Sequence, residues 1–276
     1  MSPITISAEC HGRAMRHHER CSLCEHRCLA NRAMGERGPC KAGIDARIFR
    51  HRVECGEEAE LIPSHLFYLS GCDLRCAFCI AEANAFDPRR GTLLTAEFFQ
   101  RAVAWGQTQG ARNIQWVGGE PTIHLPVILE VMSSVNELPP VVWKSDFYGT
   151  PEVFELLDGV VSVYVPDFKF GNDECAQRIA GVERYWEVVT RNLQLAAKQA
   201  DVIVRHLLLP GHWDCCFVPI TRWLRERMPT VKFSIRDGYL PMWQARQHED
   251  LSRLLEPGIG ERAREWAAEL GLRVIH

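Results

Sequence analysis

Long apolar runs are missing from this 276-residue chain. No stretch approaches the roughly 18 apolar residues that a membrane-spanning helix needs, and the start MSPITISAECHGR lacks the apolar core of a secretory signal. These absences lead us to expect a cytoplasmic protein with no membrane partner. An excess of either charge is missing as well: 32 Lys+Arg against 35 Asp+Glu leave a net charge of −3, which gives no clear footprint for nucleic acid. Internal repeats, low-complexity tracts and long linkers are also absent, which excludes repeat architectures. Cysteine, by contrast, is abundant. There are 12, nine of them between Cys10 and Cys79. A chain of this size buries a core without disulfides, and cysteines grouped two and three residues apart in a reducing compartment read as metal or cluster ligands.

The texture of the chain changes near residue 62. Residues 1–62 are rich in Cys, Arg, His and Glu and are broken by Gly35, Gly38, Pro39 and Gly43, so a loop-built module is expected there. Residues 63–276 alternate short apolar runs with amphipathic stretches, the pattern of strand–helix units around a parallel sheet. Strands are expected at 65–70, 113–117, 140–144, 160–165, 202–209, 231–235 and 272–275. Thr95 is expected to open a helix with Phe98, Ala102 and Trp105 on one face, and Thr150 followed by Pro151 resembles an N-cap with proline at the first helical position. About six units predict an α/β fold in the form of a partial (β/α)6 barrel, smaller or less closed than an eightfold one, with its chemistry at the C-terminal ends of the strands.

The sharpest motif follows the first of these strands: Cys72-Asp-Leu-Arg-Cys76-Ala-Phe-Cys79. Cys-x3-Cys-x2-Cys lets one loop wrap a cubane, place thiolates on three irons and leave the fourth open. By this spacing the chain resembles the radical S-adenosylmethionine (radical SAM) superfamily. That resemblance implies a [4Fe-4S] cluster on Cys72, Cys76 and Cys79, with SAM chelating the open iron. It also implies an electron donor such as flavodoxin or ferredoxin. Gly118-Gly119-Glu120-Pro121 resembles the superfamily's Gly-Gly-Glu motif, which meets the methionine ammonium of SAM, and Phe78 would lie beside the adenine or pack the loop.

Downstream, Asp167-Phe168-Lys169 and Arg205-His-Leu-Leu-Leu-Pro210-Gly211 resemble the Asp-x-Lys and Arg…Pro-Gly segments of pyruvate formate-lyase activating enzyme and its relatives. The resemblance implies that Asp167 and Lys169 lie near SAM and that Arg205 meets its carboxylate, where a guanidinium binds bidentately. Cys21-x2-Cys24-x3-Cys28, Asn31-Arg32, Gly35 to Cys40 and Gly56-Glu57-Glu58 resemble a little-characterised branch of that group. The chain departs from that branch at Ile80-Ala81-Glu82 and matches the expected pattern only in part over Ser234 to Pro241; it departs from glycyl-radical activating enzymes with extra clusters in placing its cysteine quartet before the three-cysteine loop rather than after it. No substrate follows from the resemblance; a small molecule, a peptide or a protein remains open.

The quartet Cys21, Cys24, Cys28 and Cys40 is complete enough to close a metal site. A second [4Fe-4S] cluster and a structural zinc compete for it, with Cys10, Cys55, His17, His18 and His26 as alternative ligands. Cys175, Cys215 and Cys216 are expected to be buried packing residues, because adjacent cysteines on a strand or helix do not readily serve one metal. Trp143, Trp186 and Trp223 read as core, while Trp213 and Tyr239 are candidates for the substrate mouth. Two other functions stay in view: an iron–sulfur electron carrier or redox sensor without SAM chemistry, and a zinc-stabilised RNA-binding module resting on Arg13, Arg16, Arg20, Arg27, Arg32, Arg37 and Lys41.

Overall fold

The structure is a computed structural model that describes residues 6–56 and 58–275; Glu57 lies outside the described residues. The chain forms α1 (Ala8–Met15) and β1 (Arg47–Glu54) before the strand–helix units begin. It then runs through β2 (Ser64–Leu69), α2 (Glu82–Ala85), β3 (Thr92–Leu93), α3 (Ala96–Thr108), β4 (Asn113–Gly118), α4 (Leu125–Ser133), β5 (Val141–Ser145) and α5 (Pro151–Leu157). The second half contains β6 (Val163–Pro166), α6 (Asp173–Ala180), α7 (Tyr185–Ala196), β7 (Asp201–Leu207), α8 (Val218–Arg227), β8 (Lys232–Arg236), α9 (Ile259–Glu269) and β9 (Arg273–Ile275).

Among the described residues the strands form one sheet in the order β3-β1-β2-β4-β5-β6-β7-β8-β9. Every neighbouring pair from β2 to β9 is parallel, and these strands match the seven expected from sequence. Parallel strands need helical crossovers that cover the sheet, which is why all five residues of β5 and the first five of β4 are buried. With β3 and β9 at opposite ends of the order, the barrel is open.

The segment expected to be loop contains two regular elements. Ser7 caps α1 by accepting from Cys10 N at 3.0 Å, and the helix packs against α4 and α5. β1 pairs antiparallel with β2, and β3 with β1, so the sheet continues across residue 62. β1 also shifts the reading of α3. The helix buries Phe99, Ala102, Val103 and Gly106, whereas Phe98 and Trp105 turn their rings onto His51 of β1, each at 5.5 Å.

Thr150 begins α5 as expected, but its side chain does not cap the helix. Its hydroxyl donates to Ser22 O at 2.8 Å, and Thr150 N donates to Leu23 O at 2.9 Å. The start of α5 therefore holds the cysteine quartet's first loop against the barrel. Trp143 is fully buried with Trp116, Tyr164 and Phe67 in the core, while Trp186 and Trp223 are half-buried and meet ring to ring at 6.4 Å.

Candidate functional site

The C-terminal ends of β2, β4, β5, β6, β7 and β8 surround one cavity of about 530 Å³. All ten residues expected around the catalytic cluster and SAM line it: Cys72, Cys76, Cys79, Phe78, Gly118, Gly119, Glu120, Asp167, Lys169 and Arg205. The loop after β2 brings the three cysteines there. Its backbone is held by Arg75, which donates through Nη1 to Cys72 O at 2.6 Å and through Nη2 to Pro39 O at 2.6 Å, and by Ala77 N donating to Ile179 O at 2.8 Å. Cys72, Cys76 and Cys79 form no disulfide. Burial pushes Cys76 up to about 12 and raises Cys72 and Cys79 too. Thiolates here therefore need a cationic centre to stabilise them, and three soft donors on one short loop suit iron–sulfur ligation.

Gly118 and Gly119 are required by the backbone itself. Gly119 N donates to Leu69 O at 2.7 Å and Glu120 N to Gly71 O at 2.8 Å, which extends the β2–β4 pairing to the start of the cysteine loop. A Cβ on Gly119 would fall 1.8 Å from Gly71 O, and one on Gly118, whose φ is +119°, 2.3 Å from Leu69 N. Glu120 is nearly inaccessible and its carboxylate is engaged by the chain. Oε1 accepts from Thr122 N and Ser145 Oγ, each at 2.8 Å, and Oε2 accepts from Asp146 N at 2.9 Å.

Facing that loop, Lys169 Nζ donates to Asp167 Oδ2 at 2.7 Å, and Arg205 Nε lies 3.6 Å from Asp167 Oδ1. Burial works against the Asp167 anion, but Lys169 and Arg205 outweigh it and hold its pKa at about 2. Arg205 also approaches Glu58 Oε1 at 3.7 Å. Glu58, fully buried, accepts from Arg236 Nη2 at 2.6 Å and from Ser234 Oγ at 3.1 Å. A residue of the N-terminal segment thus meets two arginines of the cavity, a role that the resemblance at Gly56-Glu57-Glu58 did not assign. Lys144, Ser145 and Asp146 at the end of β5 were also missed, because that strand ends without a recognisable pattern.

Asp73 and Asp146 lie beside Cys72, with one ligand-type atom from each of the three residues within 4.8 Å of the others. Asp73 Oδ1 and Oδ2 and Asp146 Oδ2 are buried without a hydrogen-bond partner. Burial, then neighbouring carboxylates, pushes Asp73 up to about 7 and Glu120 to about 8, and raises Asp146 well above the carboxylate range.

The quartet stands behind this wall. Cys21, Cys24 and Cys40 are buried and Cys28 is half-buried; burial raises the Cys24 and Cys40 thiols, and the charge of Asp73, the residue after Cys72, adds to the rise. His26 Nε2 lies 3.0 Å from Asp73 O, and Cys24 forms a β-bridge with Gly149. Among the alternative ligands, Cys10 donates to Leu156 O at 3.3 Å, Cys55 is exposed, and His17 Nδ1 accepts from Ser22 N at 3.3 Å. Tyr239 lines the cavity as a buried residue, packing on Phe78 with ring centres 6.1 Å apart and donating its hydroxyl to Leu251 O at 2.7 Å. Trp213 does not join it: its ring packs on Phe217 and Trp266 beneath the Arg262 guanidinium. Cys175, Cys215 and Cys216 are also absent from the cavity and meet one another elsewhere.

A family model for the radical SAM superfamily matches residues 66–224, which include the three-cysteine loop and all the strand ends through Arg205. The chain belongs to the radical SAM superfamily. Radical SAM proteins bind an iron–sulfur cluster and SAM, and they need a reductant and a substrate. The chain is 36% identical to an uncharacterized protein of Methanocaldococcus jannaschii over 265 residues, covering 93% of this chain and 76% of that one. It is 37% identical to GTP 3',8-cyclase of Pseudomonas fluorescens over 68 residues, 25% of this chain and 20% of the cyclase. Its fold is similar to that of Streptococcus suis SuiB bound to the precursor peptide SuiA, with TM-score 0.52, 13% identity, and coverage of 74% of this chain and 46% of SuiB. This radical SAM chain thus spans less than half of SuiB. Among its described residues no helix is long and apolar enough to cross a membrane.

Proposed function

We propose that this chain uses Cys72, Cys76 and Cys79 to hold a [4Fe-4S] cluster and binds SAM in the cavity that those cysteines share with Gly118, Gly119, Glu120, Asp167, Lys169 and Arg205. Held by these cysteines, a reduced cluster would supply the electron for reductive cleavage of SAM to a 5'-deoxyadenosyl radical, the species that would abstract hydrogen from a substrate. The observation that carries this reading is that the ends of β2, β4, β6 and β7 bring every one of these residues to a single cavity. The residues of the chain have separable tasks. Gly118 and Gly119 let β4 close on the cysteine loop, Arg205 offers a guanidinium to a carboxylate, and the Lys169–Asp167 pair supplies a donor and an acceptor at fixed positions. Phe78 and Tyr239 provide an aromatic wall for a base and keep water from it.

An electron carrier would use both cysteine groups but leave this cavity without an occupant. The Asp167–Lys169 and Arg205–Pro210-Gly211 segments support a place beside pyruvate formate-lyase activating enzyme. Ile80 and Leu240, 75% and 54% exposed, stand among the cavity's lining residues and offer an apolar rim that a peptide or protein substrate would cover.

We further infer that Cys21, Cys24, Cys28 and Cys40 hold a second [4Fe-4S] cluster, which would relay electrons from flavodoxin or ferredoxin past Asp73 to the first. Its support is the direct seating of the quartet on the three-cysteine loop through His26 and Arg75. Zinc is the competing occupant. The test is electron paramagnetic resonance of the anaerobically reconstituted, reduced protein. SAM should shift the signal of one cluster, and that signal should vanish in a Cys72, Cys76 and Cys79 to Ala variant. A signal indifferent to SAM would favour the carrier.

A further inference from the structure

We propose that Cys175, His212, Cys215 and Cys216 form a closed Cys3His site for one zinc ion, distinct from both N-terminal cysteine groups. Their ligand atoms all lie within 4.8 Å of one another. From His212 Nδ1 the distances are 3.3 Å to Cys215 Sγ, 3.4 Å to Cys216 Sγ and 3.6 Å to Cys175 Sγ. Cys215 Sγ is 3.7 Å from Cys175 Sγ and 4.0 Å from Cys216 Sγ. Zinc bonds of about 2.3 Å to sulfur and about 2.0 Å to nitrogen, set tetrahedrally, separate two sulfurs by about 3.8 Å and sulfur from nitrogen by about 3.5 Å. Five of the six edges between the donors match that tetrahedron to within a few tenths of an ångström, and the sixth, from Cys175 Sγ to Cys216 Sγ, is under 4.8 Å.

The backbone explains how adjacent cysteines reach one centre. His212 O accepts from both Cys216 N and Phe217 N, each at 3.1 Å, so residues Trp213–Phe217 form a wide π-helical turn before α8. On a regular helix Cys215 and Cys216 would diverge. Gly171 lets the segment before α6 approach this turn, since a Cβ there would lie 2.5 Å from Cys216 O. Asn172 then spans the contact, with Nδ2 donating to Cys215 O at 2.7 Å and lying 3.5 Å from Cys175 Sγ.

The surroundings of the imidazole point the same way. His212 Nε2 lies 2.9 Å from Asp250 Oδ2, and Arg178 Nη1 donates to Asp250 Oδ1 at 3.1 Å. A proton on Nε2, donated to the carboxylate, leaves the Nδ1 lone pair facing the three thiols, the carboxylate–histidine–metal arrangement common around protein metal ions. His212 is 2% exposed and Cys216 fully buried. On binding, the three thiols release their protons to solvent and form metal–thiolate bonds; nothing is oxidised or reduced. Four protein ligands leave no open position, so the ion is structural. It ties the segment after Asp167 and Lys169 to the segment after Arg205.

The test is zinc K-edge X-ray absorption on the full-length protein purified anaerobically from zinc-supplemented cells. The expected result is one zinc per chain with three sulfurs and one imidazole nitrogen. Cys216→Ser should lose that zinc. Because removing a ligand also threatens folding, Asp250→Asn provides a second measurement: it keeps all four donors and should lower zinc affinity about 10- to 100-fold in competition with a chelating dye. The proposal is overturned by a four-sulfur shell, which would place zinc in the N-terminal quartet. It is also overturned by a zinc content per chain that Cys216→Ser leaves undiminished, by zinc-free folded protein, or by an affinity that Asp250→Asn leaves unchanged.

Discussion

Lys169 Nζ and Asp167 Oδ2, 2.7 Å apart, place an ion pair from the end of β6 on the wall opposite the three-cysteine loop. Asp167→Asn removes a charged partner from Lys169 and Arg205 without changing shape. A hydrogen bond to a charged group contributes about 1.5–3 kcal/mol, so SAM binding by the reconstituted protein should weaken roughly 10- to 100-fold, as read by equilibrium dialysis. With the Asp167 pKa held near 2, this contribution stays constant from pH 5 to pH 9.

Two glycines should respond to alanine with opposite signs. Gly119→Ala drives a methyl to 1.8 Å from Gly71 O, a backbone atom anchored on both sides. We expect a loss of about 3 kcal/mol and a melting temperature lower by several degrees. Gly12 is exposed in α1, and a methyl at its Cα would meet nothing within 4 Å, so Gly12→Ala should gain about 1 kcal/mol of stability from helix propensity. Paired thermal melts check both.

His65 makes the fold acid-sensitive. Burial, then the neighbouring His51, holds its imidazole at about 4, below the unfolded value of about 6.5. The unfolded chain therefore binds the extra proton between pH 6.5 and 4. Stability from this group is present above pH 6.5 and is lost as pH falls through that window, by roughly 3 kcal/mol at 1.36 kcal/mol per pKa unit. Urea titrations should show a shallower pH dependence in His65→Gln over this range, by close to one proton.

The quartet and the three-cysteine loop should separate by metal content. If each holds a four-iron cluster, Cys24→Ser should lose about half of the iron and sulfide, and a Cys72, Cys76 and Cys79 to Ala variant should lose the other half. Full iron in Cys24→Ser, accompanied by loss of zinc, would assign the quartet to zinc.

The seven parallel strands and the cavity's principal residues were legible because buried parallel strands read as short apolar runs and the cysteine loop carries a distinctive spacing. β1 was hidden. Its sequence Arg47–Glu54 carries Arg47, Arg50, Arg52 and Glu54 among few apolar residues within a cysteine-rich stretch, and only Ile48 of it is buried. The inward face of α3 was misplaced by one residue because Phe98 and Trp105 cover that unseen strand. Asp146 became visible only when folding brought the end of β5 to the cavity, and Glu58, named in sequence only within Gly56-Glu57-Glu58, acquired a role when its segment met Arg205 and Arg236. Cys175 lies 40 residues before Cys215, and adjacent cysteines suggest packing until a wide turn redirects them.

The central claim is that the cavity around Cys72, Cys76 and Cys79 cleaves SAM. The most direct measurement is 5'-deoxyadenosine formed by anaerobically reconstituted protein given SAM and dithionite. The wild type should form it, and the Cys72, Cys76 and Cys79 to Ala variant should not. A filled cluster that yields none with any of several reductants would contradict the account.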